Sequence, residues 1–545
     1  MGLSYLSFEP MQLENAQRNP VLPCLFPWII LSAFTVFWIV FFAFTSPQPG
    51  GTDVFVFRDA GCNWAAGRGL VAASVPHANT VMPMLFASYT PGALILFGLA
   101  ASLFGCSGWM DTFYNLVLAS AACFLLYRCF SLAVASGWQR VTAAVLLGAV
   151  LPTGLVVFDS DRPEMPAFCL MVLLLLLWRD AKGATGKTLV LASVGFVFLI
   201  HPYAGIAGWL LLAFLLVFSD QDTEPAAWTG RLRVIFAGSA LYALVVAAWA
   251  LAMWWQDPTS LHRFLQHAVG QGTGAGVVLH GATTGHSQSA PLVQNGYAVA
   301  LRQLFNPAFP VGAAFAVSLL GSAVVVAVYA LRGPGRARRL VECGVLILVL
   351  VIFPFAVFPR QANYFGLSRA LLLAVLLIGG YPLSRGLRGS MAPLYLMLIA
   401  FAFTAPWAAL EILQSVDARA SYYQEQEQAK RVSAYLEQHG VHNPPLLVDS
   451  GHYFLYKPYF SNLYNRSYVE QGDATSQFRA LVLCYSASRA FSRAQLPWED
   501  ALQRDNWRLI DGGEDAVRVT VLGHPVMRRN WSWMCDVYSR QLTGK

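Results

Sequence analysis

Charged side chains are scarce in this sequence of 545 residues. Asp, Glu, Lys and Arg make up 12% of it, whereas hydrophobic residues make up 56%. An ordinary soluble domain has about 25% charged residues, so the composition excludes a soluble protein and favours one that crosses a membrane many times. The net charge of +7 is dispersed in short clusters between apolar runs. That dispersal is typical of membrane topology signals and argues against a nucleic-acid partner.

A cleavable signal peptide and internal repeats are also lacking. Residues 1–26 are polar, mixed in charge and without a short apolar core, so we expect a cytoplasmic N-terminus followed by a retained first helix. Transporter folds often contain internal repeats. The absence of clear repeats disfavours one alternative class of protein, a multi-pass transporter of a lipid or small solute. A non-catalytic membrane scaffold is a third class.

Two familiar site patterns are incomplete. The segment 181–188 lacks the first glycine of a nucleotide-binding P-loop. The loop 254–307 contains histidines, but none has a tight metal-ligand spacing backed by cysteine or acidic partners. Its many glycines predict a mobile loop that covers a substrate.

Long apolar runs are what the sequence has in abundance. About 20 apolar residues cross a bilayer, and eleven runs predict about 11 transmembrane helices. They are 27–46, 111–131, 140–157, 163–179, 188–200, 203–219, 232–253, 308–331, 340–358, 367–383 and 391–413. The run 91–105 is shorter and predicts an interfacial or re-entrant helix, because only then do the basic residues of the short connections share one side, as the positive-inside rule requires.

The fold class predicted is a polytopic α-helical membrane protein of the plasma (inner) membrane. Residues 1–26 are cytoplasmic, and residues 27–414 form the transmembrane module, with outer loops 47–110 and 254–307. Residues 415–545 form a small extracytoplasmic α/β domain.

The tail differs from the rest by its charge and tyrosine content. It contains an amphipathic helix candidate at 424–439 and strand candidates at 445–449, 479–485 and 517–522. Cys484 and Cys535 are its only cysteines, and in an oxidising compartment they predict a disulfide; two unpaired buried thiols are the alternative. Cysteines in or beside the apolar helices are expected to be free thiols that behave as small hydrophobes. These are Cys106, Cys123, Cys129, Cys169 and Cys343.

Two carboxylates, Asp53 and Asp59, follow the first apolar run. A carboxylate at the membrane surface can accept a proton from an acceptor hydroxyl or hold a metal ion. The alternative for Asp53 is a helix N-cap, because it follows Gly50, Gly51 and Thr52.

A second acidic cluster lies at the start of the run 163–179. It consists of Asp159, Asp161 and Glu164, with Arg162 among them. Charges against a bilayer usually mark ion pairs or functional sites, and a self-neutralising loop is the alternative.

Outward cations are candidates for phosphate binding. Arg360 and Arg369 flank a segment that contains Tyr364, and a guanidinium can hold a phosphate bidentately; interfacial snorkelling is the alternative. His201, in the sequence His-Pro-Tyr, is either a substrate contact or a helix-turn residue.

These motifs together resemble the GT-C superfamily of integral-membrane glycosyltransferases, which includes protein mannosyltransferases and aminoarabinose transferases. The resemblance rests on the acidic residue after the first helix, on Tyr89-Thr-Pro91 leading to Leu103-Phe-Gly105, and on the second acidic cluster. It covers about residues 25–220 by motif. Phe57 departs from the tyrosine of many relatives.

The resemblance implies a hexosyl- or pentosyltransferase of the cell envelope. Its donor would be a polyprenyl-phosphate-linked sugar, and its acceptor a lipid, glycan or protein. The catalytic carboxylate falls on Asp53, with Asp59 as second choice. Substrate contacts fall on Asp159, Asp161, Arg162, Glu164, Tyr89, His201, Arg360, Tyr364 and Arg369. No cofactor is certain; a divalent metal ion is left open, with Asp53 and Asp161 as its ligands.

Overall fold

The computed structural model describes residues 21–44, 57–72, 84–85, 89–134, 136–151, 162–218, 225–262, 264–265, 310–332, 335–357, 362–379, 381–387, 390–448, 452–465, 480–484, 507–511, 520–521, 524–525 and 535–540. Within these residues, helices dominate the chain up to Gln438, and short strands follow.

The helices follow the apolar pattern of the sequence. They are α1 (Val21–Ala43), α2 (Asp59–Ala65), α3 (Gly92–Phe104), α4 (Gly108–Ala133), α5 (Gly137–Val150), α6 (Glu164–Asp180), α7 (Gly183–Ile200), α8 (Pro202–Phe218), α9 (Pro225–Gln256), α10 (Pro310–Ala330), α11 (Arg336–Ile347), α12 (Phe353–Val357), α13 (Ala362–Ile378), α14 (Pro382–Leu387), α15 (Ala392–Gln438) and α16 (Tyr453–Tyr456). A π-helical turn, Leu348–Ile352, joins α11 to α12. Each of the predicted apolar stretches overlaps one helix or this joined pair, except 367–383, which overlaps α13 and the start of α14. The predicted helical membrane fold class is confirmed.

Six helices of the described chain are long and apolar enough to cross a membrane: α1, α4, α7, α9, α10 and the joined α11–α12. The run 91–105, which was predicted not to span the membrane, forms α3, which has 13 residues. At about 1.5 Å per residue, α3 is shorter than a hydrocarbon core of about 30 Å. It ends at Gly105, whose φ of 78° lies in the left-handed region that glycine tolerates.

Contacts between helix ends define two faces of the bundle. On one, the start of α4 lies against the start of α2, and the end of α7 and the turn into α8 lie against the start of α3 and the residues before it; we call this the site face. On the other, Arg338 donates to Phe218 O at the end of α8, and Arg140 donates to Val134 O after α4. The described basic residues predicted for the cytoplasmic side belong to this second face, the Arg-rich face.

Two glycines let α2 and α3 approach closely on the site face. A Cβ on Gly98 would lie 2.7 Å from Trp64 Cε3 and 2.9 Å from Gly61 O, closer than atoms tolerate. A disulfide joins Cys62 in α2 to Cys106 just after α3. The expectation that Cys106 is a free thiol was therefore wrong: the turn at Gly105 brings it to α2. Cys123, Cys129, Cys169 and Cys343 are free, as expected.

The longest helix, α15, continues for 47 residues from the bundle into the tail. The sequence predicted an amphipathic helix at 424–439 and a module boundary at 414. The predicted helix is the last part of α15, which continues without a break near 414 because no Gly or helix-ending signal interrupts residues 407–438. The tail is thus connected to the bundle by a continuous helix.

The tail contains a five-stranded mixed sheet in the order β4-β3-β5-β9-β6. Its strands are β3 (Leu446–Val448), β4 (Leu463–Asn465), β5 (Ala480–Cys484), β6 (Trp507–Asp511) and β9 (Cys535–Arg540). Short hairpins are formed by β1 (Val71–Ala72) with β2 (Met84–Leu85), and by β7 (Thr520–Val521) with β8 (His524–Pro525). Strands predicted near 445–449, 479–485 and 517–522 are present; β4, β6, β8 and β9 of the tail were missed.

Buried side chains form two main hydrophobic clusters. The larger fills the helix bundle and includes Phe130, Phe168 and Phe365. The second joins the site face to the tail, because it contains Cys62, Phe97 and Met110 together with tail residues. Its tail members include Val432, Leu436, Leu446, Tyr453, Phe460 and Val537.

Candidate functional site

The start of α2 is held to the start of α4 by a buried ion pair. Arg58 Nε lies 2.7 Å from Asp111 Oδ1, and both side chains are buried. Arg58 Nη2 also donates to Asn115 Oδ1 at 2.9 Å, and the guanidinium lies 4.3 Å from the centre of the Phe97 ring. Asp111 stands in the first turn of α4, where the helix dipole stabilises a negative charge. Sequence reasoning did not single out Asp111 or this ion pair.

Asp59 is held by two residues of the tail. Its Oδ1 accepts hydrogen bonds from Lys457 Nζ at 2.8 Å and from Tyr453 Oη at 2.9 Å. Lys457 Nζ also donates to Asn63 Oδ1 at 3.2 Å. Burial, and after it the Asp59 carboxylate, raises the pKa of Tyr453 well above its usual value, so its hydroxyl stays protonated and donates. Asp59, the second choice for the catalytic carboxylate, therefore lies fully buried in an ion pair.

Four predicted residues converge around Glu164, the first residue of α6. Arg162 Nε lies 3.0 Å from Glu164 Oε1, and His201 Nε2 lies 3.5 Å from the same oxygen. His201 Nδ1 accepts a hydrogen bond from Ala204 N at 3.2 Å, so the neutral ring carries its proton on Nε2, the atom that faces Glu164.

Aromatic rings complete this group. The His201 ring lies 4.8 Å from that of Tyr364 and 5.7 Å from that of Tyr89, edge to face in both cases. Tyr364 stacks on Tyr203, whose hydroxyl bonds to Ser368. Burial, and after it Tyr364, raises the pKa of Tyr89 well above its usual value. We call Tyr89, Arg162, Glu164, His201 and Tyr364 the Glu164 cluster.

Thr90 adds an unsatisfied group beside the Glu164 cluster. It follows Tyr89 and is fully buried, and its Oγ1 has no hydrogen-bond partner among the described residues. Two residues later, a Cβ on Gly92 would lie 2.7 Å from Leu199 O at the end of α7, so this segment packs directly against the turn that carries His201. A buried hydroxyl without a partner requires an explanation, and a ligand is one.

Arg369 lies within α13, away from the start of the helix. It stands seven residues after the start of the helix, about 10 Å along it. Its Nη1 donates to Ser318 Oγ at 3.0 Å, and its guanidinium lies 5.4 Å from the centre of the Phe315 ring. The side chain borders a small, largely apolar pocket. Other lining residues include Leu126, Leu147, Val150, Ser322, Leu373 and Phe401.

The remaining predicted residues lie outside the described part of the chain. They are Asp53, Asp159, Asp161 and Arg360, and most of the loop 254–307 joins them. Their assignments stay predictions. The side chains of Cys484 and Cys535 are also outside it, but their backbones are paired: the two residues lie directly opposite each other in β5 and β9. Opposed residues of antiparallel strands have Cβ atoms about 4.5–5.5 Å apart, close to the spacing of a disulfide.

The described carboxylates do not form a divalent metal site. Asp59, Asp111 and Glu164 each contact a cationic side chain, and the described residues contain no group of three or more metal-ligating side chains. The two residues that the resemblance names as metal ligands, Asp53 and Asp161, are not described.

Lys457, Tyr453 and the Arg58–Asp111 pair were missed by sequence reasoning. Lys457 and Tyr453 lie in a short polar and aromatic turn of the tail, almost 400 residues from Asp59. No local pattern links them. Arg58 is a charged residue beside an apolar run, but several other residues of the sequence have the same pattern, so the pattern did not single it out.

Comparisons with solved structures find similar chains. The chain is similar to ArnT from Cupriavidus metallidurans bound to undecaprenyl phosphate, with 12% identity, a TM-score of 0.48, and coverage of 95% of this chain and 98% of that one. It is similar to an Archaeoglobus fulgidus oligosaccharyltransferase tethered with an acceptor peptide, with 12% identity, a TM-score of 0.47, and coverage of 84% and 69%.

A third similar structure is the arabinofuranosyltransferase AftD from Mycobacteria. The identity is 15%, the TM-score is 0.44, and the match covers 94% of this chain and 40% of that one. No protein-family model and no curated protein matches the sequence.

Proposed function

We propose that this protein is a membrane-embedded glycosyltransferase that moves a sugar from a polyprenyl-phosphate donor to an acceptor hydroxyl at the site face. The observation that carries the proposal is the Glu164 cluster. Residues chosen from sequence as substrate contacts come from four separate segments of the chain and meet in one buried polar group. Buried ionisable residues at the end of a membrane bundle usually mark a functional site.

The site face corresponds to the extracytoplasmic side of the membrane in this proposal. The opposite face carries Arg140, Arg338 and the other basic residues of short connections, which remain in the cytoplasm under the positive-inside rule. A polyprenyl-linked sugar then reaches the site from the outer leaflet, and the acceptor arrives from water.

Each group has a chemical task in the proposed transfer. Asp53 accepts the proton of the acceptor hydroxyl as its oxygen bonds to the anomeric carbon. The bond between that carbon and the phosphate oxygen breaks, and the lipid phosphate leaves with the electron pair. The acceptor oxygen attacks the anomeric carbon on the side opposite the departing phosphate, so the configuration at that carbon is inverted. The Glu164 cluster supplies donors, including Tyr89 Oη, that orient the sugar.

The lipid carrier requires an apolar path with a cation beside it. Arg369 is a cation next to apolar surface, since the other described residues that line its pocket are apolar apart from Ser322. A buried guanidinium attracts a phosphate more strongly than one in water. We assign the phosphate to Arg369 and to the predicted Arg360.

The test is turnover by the purified protein in liposomes. Labelled polyprenyl-phosphate hexoses and pentoses are supplied with cell-envelope lipid, glycan and protein acceptors, and both labelled product and released lipid phosphate are measured. We expect Asp53→Asn to lower turnover about a hundredfold or more. The matched control is Asp180→Asn, an exposed carboxylate at the far end of α6, which should equal the wild type.

Other outcomes decide against the proposal. Substrate-dependent flux without turnover would identify a transporter. Full activity of Asp53→Asn would remove that carboxylate from the mechanism and transfer its role to another outer acidic residue.

A further inference from the structure

The tail and α2 are joined by a polar network that is shielded from solvent. Asp59 is fully buried, and the Lys457 side chain that binds it is 6% exposed. Tyr453 Oη and Asn63 Oδ1 complete the network. Lys457 Nζ lies within 3.4 Å of Ser461 O as well, so the ammonium has an oxygen acceptor for each of its three protons.

Such a network is sensitive to the loss of one partner. Removing Lys457 leaves a buried carboxylate without its counterion, which is strongly destabilising, whereas removing both charges together is often nearly neutral. Asp59 and Lys457 therefore constrain the position of α2 as a coupled pair.

The surroundings make this contact rigid. The second hydrophobic cluster places Cys62 and Phe97 of the site face against Val432, Leu436 and Phe460 of the tail. The Cys62–Cys106 disulfide ties α2 to the end of α3. The tail thus contacts α2 through packing, through a disulfide-anchored neighbour and through an ion pair.

We infer that Lys457 and Tyr453 are positioning residues: through Asp59 they hold α2, and with it Phe57, whose ring lies 5.1 Å from that of Tyr89 in the Glu164 cluster. The inference rests on the proposed function. Asp53 precedes Asp59 by six residues in the sequence, so a shift of α2 moves the anchor of the predicted catalytic segment. The tail is then part of the catalytic apparatus and more than an appended domain.

Kinetics test the catalytic consequence. Lys457→Met should lower kcat about 10- to 100-fold, because small displacements of a reacting group have effects of that size, while the KM for the lipid donor stays within about twofold. Tyr453→Phe should have a smaller effect of the same kind. The matched control is Lys430→Met, an exposed lysine of α15, with unchanged kcat and KM.

A double variant that removes both charges, called the neutral pair, distinguishes a positioning role of Asp59 from a catalytic one. The double variant Asp59→Asn with Lys457→Met contains no unpaired buried charge, and Asn still accepts from Tyr453. If Asp59 positions α2, the double variant is more active than Lys457→Met alone. If the double variant is as inactive as Asp59→Asn, Asp59 itself is catalytic and the inference is overturned.

Hydrogen exchange of the α2 amides, residues 60–66, provides a readout without activity. We expect faster exchange in Lys457→Met, recovery in the neutral pair, and wild-type exchange in Lys430→Met. Unchanged exchange in Lys457→Met overturns the inference even if the enzyme is active. An inactive wild type overturns the proposed function and the positioning role in catalysis, while exchange still decides whether the tail holds α2.

Discussion

Thr90 is a buried hydroxyl whose hydrogen-bonding capacity is unused among the described residues. Such a group costs about 1–3 kcal/mol of stability relative to a satisfied one. Its position, directly after Tyr89 and beside the turn at His201, allows a substrate hydroxyl or phosphate oxygen to supply the missing bond. The Thr90 hydroxyl therefore lowers the stability of the fold but is available to bind a substrate.

Replacing Thr90 with the isosteric Val should separate those demands. Without a hydroxyl to desolvate, the melting temperature of the purified protein should be unchanged or higher. Transfer should fall, because a lost substrate hydrogen bond of about 0.5–1.5 kcal/mol lowers kcat/KM roughly 2- to 13-fold. Differential scanning fluorimetry and donor kinetics measure the two effects.

The control is Thr142→Val in α5, whose hydroxyl bonds within its own helix to Trp138 O at 3.0 Å. Its kcat/KM should equal the wild type. A Thr90→Val protein that loses stability while keeping its activity would show that the hydroxyl serves the fold.

At the scale of elements, the crossing of α2 and α3 determines where the first outer loop sits. Both helices are short, so neither has enough hydrogen bonds to be stable alone in water. Their stability comes from mutual packing at Gly61 and Gly98, from the Cys62–Cys106 bond, and from the Arg58–Asp111 pair. A substitution at the crossing should therefore affect the fold and the site together.

Gly98→Ala tests this crossing. Alanine normally stabilises a helix relative to glycine by about 0.5–1 kcal/mol, but here the added Cβ meets Trp64 and the backbone of Gly61. We expect overpacking of about 1–3 kcal/mol to prevail, giving a lower melting temperature. Gly137→Ala at the start of α5, where nothing lies within 4 Å of the added carbon, should leave it unchanged or raise it. Equal melting behaviour of the two variants would contradict the close approach.

At the scale of the molecule, the cysteines of the site face and the tail differ from those of the helix bundle. The Cys62–Cys106 disulfide and the opposed residues Cys484 and Cys535 belong to the part joined by the second hydrophobic cluster. The four described free thiols lie in α4, α6 and α11 of the helix bundle. Disulfides persist in oxidising compartments, so this distribution agrees with an extracytoplasmic tail.

Thiol labelling of protein purified without reductant and then unfolded checks this arrangement. Cys62, Cys106, Cys484 and Cys535 should stay unmodified until a reductant is added, whereas Cys123, Cys129, Cys169 and Cys343 should react at once. Loss of either bond by a Cys→Ser pair should cost roughly 2–5 kcal/mol if it behaves as in small secreted domains. Immediate labelling of all four expected disulfide cysteines would place the site face in a reducing compartment.

The sequence alone determined the membrane-spanning character, the helices and several members of the Glu164 cluster. Apolar length is a local property, and a bilayer about 30 Å thick selects for it directly. Polar residues at the ends of apolar runs are few because they are costly there, so Glu164 and His201 were recognisable without a structure. The exclusion of residues 91–105 from the spanning helices followed from charge distribution.

Only the tertiary structure decided the partners. Asp59 binds Lys457, Cys62 bonds to Cys106, and α15 continues through the boundary predicted at 414. The polar and aromatic turn at 453–457 has no feature that distinguishes a surface lysine from one that neutralises a buried carboxylate almost 400 residues away. Which charges are buried together depends on how α2, α3 and the tail pack, because desolvation and pairing are properties of the assembled surfaces and of no single segment.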